Sequence, residues 1–524
     1  MEIPDLVATT LLVSDALVLV YLVLYFAVNG GLLAMAFGLV RRRLKKLDHV
    51  RAPDPGPFPP VVSLLAPAYN EEVTVVPSVT SLLKLDYPSF EIIVINDGSK
   101  DRTVEVLKRA FGFRPAVAGS EAQLPTARVR GVYVAEPPEG SRCARFVLVD
   151  KENGGKADAL NAGINEARGA FVCSMDADSL ILPQALSRIV QPLLDAPDDL
   201  VALGVQVAAS NGCTVSEGRL EEVRLPRSLL ARVQVVEYLR SFTQSRLALG
   251  RLNLLLVLSG VFAAFRRDLL VEIGGFLTKR ATSKAVREYC GEGAHTVCED
   301  MEVIVRLHRW LRDRGRRGRV EMLPEPLAWT EVPENFTSLG KQRSRWQRGL
   351  FEVLWLHRGM FGDRRFGAVG RVSMPYQLLF EAVTPLIEAY GMLVVPLTVA
   401  LGLLDWRIFA LMLALAICGS ALLSVGAVLV ATWAERARLP GSGDRRLFPY
   451  DRPRDLMALA WAAVVENVGY RQVLLYWRLR GTWDWLRGRQ RWDKFARKGF
   501  GDGALPVGPV ASVSPGVSGA GGET

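Results

Sequence analysis

The stretch Phe171–Ile181, FVCSMDADSLI, carries a short apolar run into two aspartates one residue apart, Asp176 and Asp178. The run has the length and the aromatic and β-branched content of a buried strand. Aspartate is common in turns after strands, so the pair alone is ordinary turn chemistry. Its meaning depends on what the neighbouring strands carry at their own ends.

Working outward, three further runs read as strands: VVSLLA at Val61, EIIVI at Glu91 and GVYVA at Gly131. Helical patterning lies between them, as in TVEVLKRAF at Thr103 and KADALNAGINEAR at Lys156. Alternation of strand and helix predicts an α/β domain with a parallel sheet covered on both faces. In such sheets, ligands bind outside the carboxyl ends of the strands. The polar residues gather at those ends: PAYNEE (67–72) after the first strand, NDGSKD (96–101) after the second, and Asp176 with Asp178 after the fourth. Three strand ends facing one crevice turn the aspartate pair into a candidate site. Two carboxylates spaced this way suit a hard divalent cation, Mg²⁺ or Mn²⁺, which also binds substrate phosphates. NGGK (153–156) adds open backbone and a cation before a helix, a contact for phosphate or sugar. It lacks the GxxxxGK[ST] spacing of a nucleotide-binding P-loop.

The chain has 524 residues, too many for one ordinary domain, and half of them are hydrophobic while 23% are charged. That mixture suits a soluble domain joined to membrane spans. The net charge of +10 would suit nucleic acid or anionic partners in a soluble protein. Here much of it flanks apolar segments, at Arg41–Lys46 and Arg478–Lys498, as on the cytoplasmic side of a bilayer. No nucleic-acid partner is expected. The six cysteines include no CxxC pair, which argues against a zinc site and fits reduced thiols in a cytosolic domain.

Ala16–Val40 is long enough to span, which takes about 20 apolar residues. Acidic residues precede it and RRRLKK follows, so it reads as an anchor with a cytoplasmic carboxyl end and not as a signal peptide. The expected order is an N-terminal span with its basic flank (1–50), a proline-rich linker (51–60), and an α/β domain (61–359). Transmembrane and re-entrant helices (360–480), a basic amphipathic segment (481–499) and a Gly/Ser/Pro-rich disordered tail (500–524) follow. Within 360–480, stretches 376–404 and 408–433 reach spanning length. Glu466, Asn467 and Arg471 interrupt a third stretch, 456–479, which reads as re-entrant or interfacial. Glu381, Glu388 and Glu466 lie in apolar segments, where a carboxylate implies a hydrated path or a paired cation.

Two helical motifs complete the pattern. TVCEDMEVIVRL (296–307) places Glu299 and Asp300 in a helix's first turn, where the macrodipole alone favours acids. KQRSRWQRGL (341–350) places Gln342 and Arg345 on one helix face, with Trp346 beside them. An interfacial helix with an aromatic anchor reads the same way.

Taken in order, PAYNEE, VINDGSKD, NGGKADALNAGI, DAD, SGVFAAFRRDLLVEIGGF, CED and QRSRW resemble the family 2 glycosyltransferases. They are most similar to the membrane-embedded branch with cellulose, chitin, hyaluronan and poly-N-acetylglucosamine synthases. The resemblance covers about residues 61–349 and implies a GT-A fold, a Rossmann-like, mostly parallel sheet, on the cytoplasmic side of a multi-pass protein of the cell membrane. It implies that Tyr69, Glu71 and Asp97 seat the nucleotide, that Lys156 and Asp176 lie beside the donor, and that Asp178 ligates Mg²⁺ or Mn²⁺. Asp300 matches the general base, Gln342 and Arg345 the motif that steadies the diphosphate, and Trp346, with Glu299, the acceptor side. Cys298 stands where this branch usually carries Ser or Thr.

The reaction so implied is an inverting transfer from a nucleotide sugar, a UDP-sugar foremost, to a growing polysaccharide exported through the membrane. The alternative is a single transfer to a lipid carrier or glycolipid. Sugar, linkage and oligomeric state are not written in the sequence.

Overall fold

A computed structural model describes residues 3–47, 59–116, 122–176, 179–216, 219–279, 282–435, 450 and 452–489. Asp178 and the tail beyond 489 lie outside the described residues. So do most of the proline-rich linker and the basic segment 490–499.

The first strands are β1 (Val62–Ala68), β2 (Phe90–Asp97), β3 (Arg114–Ala116), β4 (Val129–Ala135), β5 (Cys143–Lys151) and β6 (Phe171–Met175). They continue with β7 (Leu180–Ile181), β8 (Leu200–Ala209), β9 (Thr214–Ser216), β10 (Arg219–Glu222), β11 (Phe262–Arg266) and β12 (Arg319–Thr330). β9 and β10 form a small ribbon; the others form one sheet in the order β3-β4-β5-β2-β1-β6-β11-β8-β12-β7.

The centre, β5-β2-β1-β6, is parallel. Antiparallel β11 joins it to β8 and β12, which run parallel to each other. The sheet is therefore mixed. GVYVA does form a strand, β4, but it runs antiparallel between β5 and the short edge strand β3. The third parallel strand is β5, CARFVLVDK, which the sequence reading passed over. No helix separates β4 from β5, so the alternation on which that reading relied breaks there.

β2 is buried along its whole length, as expected for a strand covered on both faces. Its pleat divides it between two cores. Ile93 and Ile95 pack with Ala159, Leu160 and Ala162 of the helix Lys156–Glu166. Phe90, Ile92 and Val94 pack with Val75, Val79 and Leu82 of the helix Val75–Leu83 on the other side.

Among the described residues, three helical stretches are long and apolar enough to cross a membrane: Thr9–Arg42, Val369–Ala400 and Trp406–Trp433. The third C-terminal stretch is broken into Pro453–Val465 and Tyr470–Leu486, with Gly469 at positive φ between them. The second of these lies along the helix Phe336–Leu356, where Gly481 approaches Ser344 closely. Asn29, buried in the first apolar helix, ties the parts together. Its Oδ1 accepts from Gln244 Nε2 at 3.0 Å and from the Tyr376 hydroxyl at 3.2 Å.

Candidate active site

The carboxyl ends of β1, β2, β5 and β6 open on one cavity of about 2040 Å³. Tyr69, Glu71, Asp97, Lys156, Asp176, Glu299, Asp300, Gln342, Arg345 and Trp346 all line it. Every sequence-derived candidate among the described residues is thus brought to one space. Pockets for single small ligands commonly measure ~300–1,000 Å³, so this one has room for more than a donor.

The loops after β1 and β2 are laced together. The Glu71 amide donates to Thr103 Oγ1 at 2.9 Å, the Glu72 amide to Asp101 Oδ2 at 3.1 Å, and the Lys100 amide to Asn70 Oδ1 at 2.8 Å. Thr74 Oγ1 donates to Glu71 Oε2 at 2.6 Å and fixes that side chain.

Asp97 reaches the cavity wall, but its carboxylate is already engaged. Oδ1 accepts from Lys151 Nζ at 2.7 Å and the Gly154 amide at 2.9 Å. Oδ2 accepts from the Gly155 amide at 2.8 Å and Asn153 Nδ2 at 3.1 Å. Asp97 therefore shapes the Asn153–Lys156 loop. Lys151 is fully buried and also meets Asp158 Oδ1 at 2.5 Å. The close approach of the two loops requires Gly98: a Cβ there would stand 2.6 Å from the Asn153 nitrogen, and its φ is +67°.

Lys156 begins its helix and reaches across the cavity. Its Nζ lies 2.6 Å from Asp176 Oδ1 and 3.4 Å from Glu299 Oε1. Burial disfavours its charge, but Asp176, Glu299 and Asp300 outweigh burial and raise its pKa. Glu299 and Asp300 open the helix Glu299–Asp313. Asp300 Oδ1 accepts from the Met301 amide at 2.9 Å and Oδ2 from the Gly260 amide at 3.3 Å. Burial, then Glu299, push Asp300 up to about 6, against Lys156, Arg246 and the Met301 amide. A helix N-terminus would by itself favour the ionised form. Burial beside a second carboxylate wins because it acts directly on the charged state.

The helix Phe336–Leu356 is capped by Asn335, whose Oδ1 accepts from the Ser338 amide at 2.8 Å. It presents Gln342, Arg345 and Trp346 to the cavity. Gln342 is 7% exposed, and its Oε1 has no hydrogen-bond partner among the described residues. Arg343 lies over the Trp346 ring at 4.5 Å and meets Glu237 Oε2 at 2.5 Å, which holds the indole in place. Gly349 makes room for Cys298: a Cβ there would stand 2.2 Å from the Cys298 sulfur. Burial raises the Cys298 thiol well above its ordinary value, so it stays protonated.

The sequence reading missed Lys151, Asp158, Gly260 and Arg246. Gly260 was inside a quoted motif, but its use is through backbone: its amide faces Asp300, and its carbonyl accepts from Lys156 at 3.4 Å. Arg246 also lines the cavity.

A second cluster, Cys290, Glu302 and His357, brings three potential metal ligands together away from the cavity lining. Arg306 takes both Glu302 oxygens, at 2.8 and 2.9 Å, and all of Arg306, Glu302 and His357 are fully buried. A guanidinium in the position of a cation makes this a structural ion pair and not a metal centre.

The same cavity runs on between the three apolar helices. Tyr21, Tyr25 and Phe26 of the first line it, as do Phe380, Glu381 and Glu388 of the second and Phe409, Ile417 and Ser420 of the third. Glu466 does not. It pairs with Arg240, accepts from Ser424 Oγ at 2.9 Å, and lies 3.8 Å from Arg471.

Comparison with known proteins bears on the family of the chain. A family model described as glycosyltransferase like family 2 matches residues 59–349. A poly-beta-1,6-N-acetyl-D-glucosamine synthase of Staphylococcus epidermidis is 29% identical over 297 residues, covering 56% of this chain and 55% of the relative. The synthase of that name from Staphylococcus aureus is 28% identical over 333 residues, 63% of this chain and 62% of the relative. The match thus spans little more than half the length of these relatives. Among solved structures, a mannosyltransferase from Pyrobaculum calidifontis in complex with GDP-Man and Mn²⁺ aligns with 91% of this chain and 100% of its own, at 18% identity and a TM-score of 0.45.

Proposed function

The chain belongs to glycosyltransferase family 2, and from that premise we propose that it transfers a sugar from a UDP-sugar to the end of a growing glycan and passes the product out between its spans. The observation that carries this reading is the shared cavity: site residues and residues of all three apolar helices line one continuous space. The names of the staphylococcal relatives support UDP-N-acetylglucosamine as the first donor to try. The basic run Arg41–Lys46 after the first span supports a cytoplasmic catalytic domain in a multi-pass membrane protein.

In this reading, Asp300 takes the proton of the acceptor hydroxyl. The oxygen so freed attacks the anomeric carbon from the face opposite the phosphate. The new carbon–oxygen bond forms as the carbon–phosphate-oxygen bond breaks, and its electron pair leaves with the diphosphate. Base assistance of this type contributes ~10²–10⁴-fold. Lys156 and Arg345 offset charge growing on the leaving group, while Gln342 lies one helical turn before Arg345 and its Oε1, an acceptor, suits a hydroxyl of the donor rather than the diphosphate. Tyr69 and Glu71 border the nucleotide, Asp97 and Asp176 set the loop and Lys156, and Trp346 with Glu299 borders the acceptor.

The donor set around the cavity is carboxylate oxygen, which fits a hard cation such as Mg²⁺ or Mn²⁺. Asp178 would hold it, with Asp176 beside it bound to Lys156. When bound, the ion would neutralise diphosphate charge.

Purified protein given UDP-N-acetylglucosamine, UDP-glucose or GDP-mannose tests the proposal by nucleotide release and product length. Release with a lengthening product supports it. A single sugar on a lipid carrier would replace polymer synthesis with the single-transfer alternative, and no release from any donor would end the proposal.

A further inference from the structure

The helix Leu229–Leu239 continues into a π-helical segment, Arg240–Arg246, before resuming at Leu247. π-Helical turns change the register of side chains and are frequent at functional sites. This one sends two arginines inward, and they meet different fates. Arg240 is neutralised by Glu466 and also donates to Ser424 Oγ at 2.5 Å. Arg246 has no such partner. Among the described residues, no carboxylate oxygen lies within 4.0 Å of it, and its guanidinium rests over the Phe242 ring at 4.7 Å.

Arg246 is partly buried and lines the cavity. A guanidinium taken out of bulk water with no counter-ion is costly, and structures keep such groups where a ligand completes them. Burial lowers its pKa, and the fields of Asp300, Glu381 and Tyr238 only partly oppose that.

These neighbours also say which ligand. Lys156 is bound to Asp176, at the strand ends where a diphosphate would lie. Arg246 lines the same cavity as Asp300 and as Glu381, the second of them on an apolar helix that walls the passage. An acceptor that reaches Asp300 from that passage shares this lining with Arg246. A planar fork of donors suits the paired hydroxyl and ring oxygens of a neutral sugar, with charge-assisted hydrogen bonds.

We propose that Arg246 binds the terminal sugar of the acceptor glycan and orients its hydroxyl toward Asp300. This rests on the transfer reaction proposed above and adds a residue to its acceptor side.

The test uses the full chain in detergent, with UDP-N-acetylglucosamine as donor and a short N-acetylglucosamine oligomer as acceptor. In Arg246→Met, KM for the oligomer rises about tenfold or more while KM for the donor moves less than twofold. Arg246→Lys, which keeps a charge with fewer donors, falls between. An unchanged acceptor KM in Arg246→Met, or a rise confined to the donor KM, overturns the assignment. An Arg246→Met protein with no measurable donor turnover, alongside an Arg246→Lys protein matching wild type in acceptor KM, overturns it too. If the wild-type protein uses UDP-glucose or GDP-mannose instead, the same series is run with that donor and the matching oligomer; if it releases nucleotide from none of the three, the proposed function fails first and this inference with it.

Discussion

Lys156 Nζ lies 2.6 Å from Asp176 Oδ1 and, through its field, lowers the pKa of Asp300. One ammonium therefore serves both the donor side and the base. Replacing it with methionine should do two things. Transfer should fall by about 10²-fold or more, as when one preorganised donor to a developing anion is lost. The residual activity should also lose its acid limb at higher pH than wild type. Rates for Lys156→Met across a pH series measure both, and an unmoved acid limb contradicts the coupling.

The pH dependence of the wild type follows from Asp300. A base must be ionised, and Asp300 is pushed up to about 6 by burial and by Glu299. The facing groups are Glu299, Lys156, Arg246 and the protonated Cys298. Activity should therefore be full above that value and fall as pH drops through about 6. Glu299→Gln removes a raising charge, so its midpoint should move to lower pH. A midpoint near 4 in the wild type would correspond to the ordinary aspartate value of 3.8 and contradict the burial argument.

Lys151 supports the site from behind. It is fully buried between Asp97 and Asp158. Lys151→Met leaves two carboxylates in the interior without their cation, at a cost of about 3–5 kcal/mol. Thermal unfolding of the purified variant in detergent should show a clear drop in Tm. A Tm equal to that of wild type would mean that solvent reaches the pair.

Metal removal bears on Asp178. A chelator should abolish turnover of the nucleotide sugar, and added Mg²⁺ or Mn²⁺ should restore it in the wild type but not in Asp178→Ala. Full activity in chelator would remove the ion from the account.

Much of this site was legible because its chemistry sits in short motifs at strand ends. Tyr69, Asp97 and Asp176 each follow an apolar run, and topology alone sends such residues to one crevice. Gln342, Arg345 and Trp346 share a helix face by spacing. What stayed hidden depends on contacts between distant segments. Arg240 and Glu466 are 226 positions apart, so the sequence could say only that Glu466 needed a partner. Arg246 points inward because of a π-helical register that a 3.6-residue period does not reveal. β5 was passed over because it follows β4 with no intervening helix, and its end carries Lys151, a charge that reads as surface until Asp97 and Asp158 enclose it.

The account turns on Asp300 being the base that meets the acceptor in this cavity. Labelled sugar transferred from the nucleotide donor, compared between wild type and Asp300→Asn at equal amounts of purified, folded protein, tests this most directly. The prediction is a loss of about 10²-fold or more in the variant. Transfer by Asp300→Asn at the wild-type rate would contradict it.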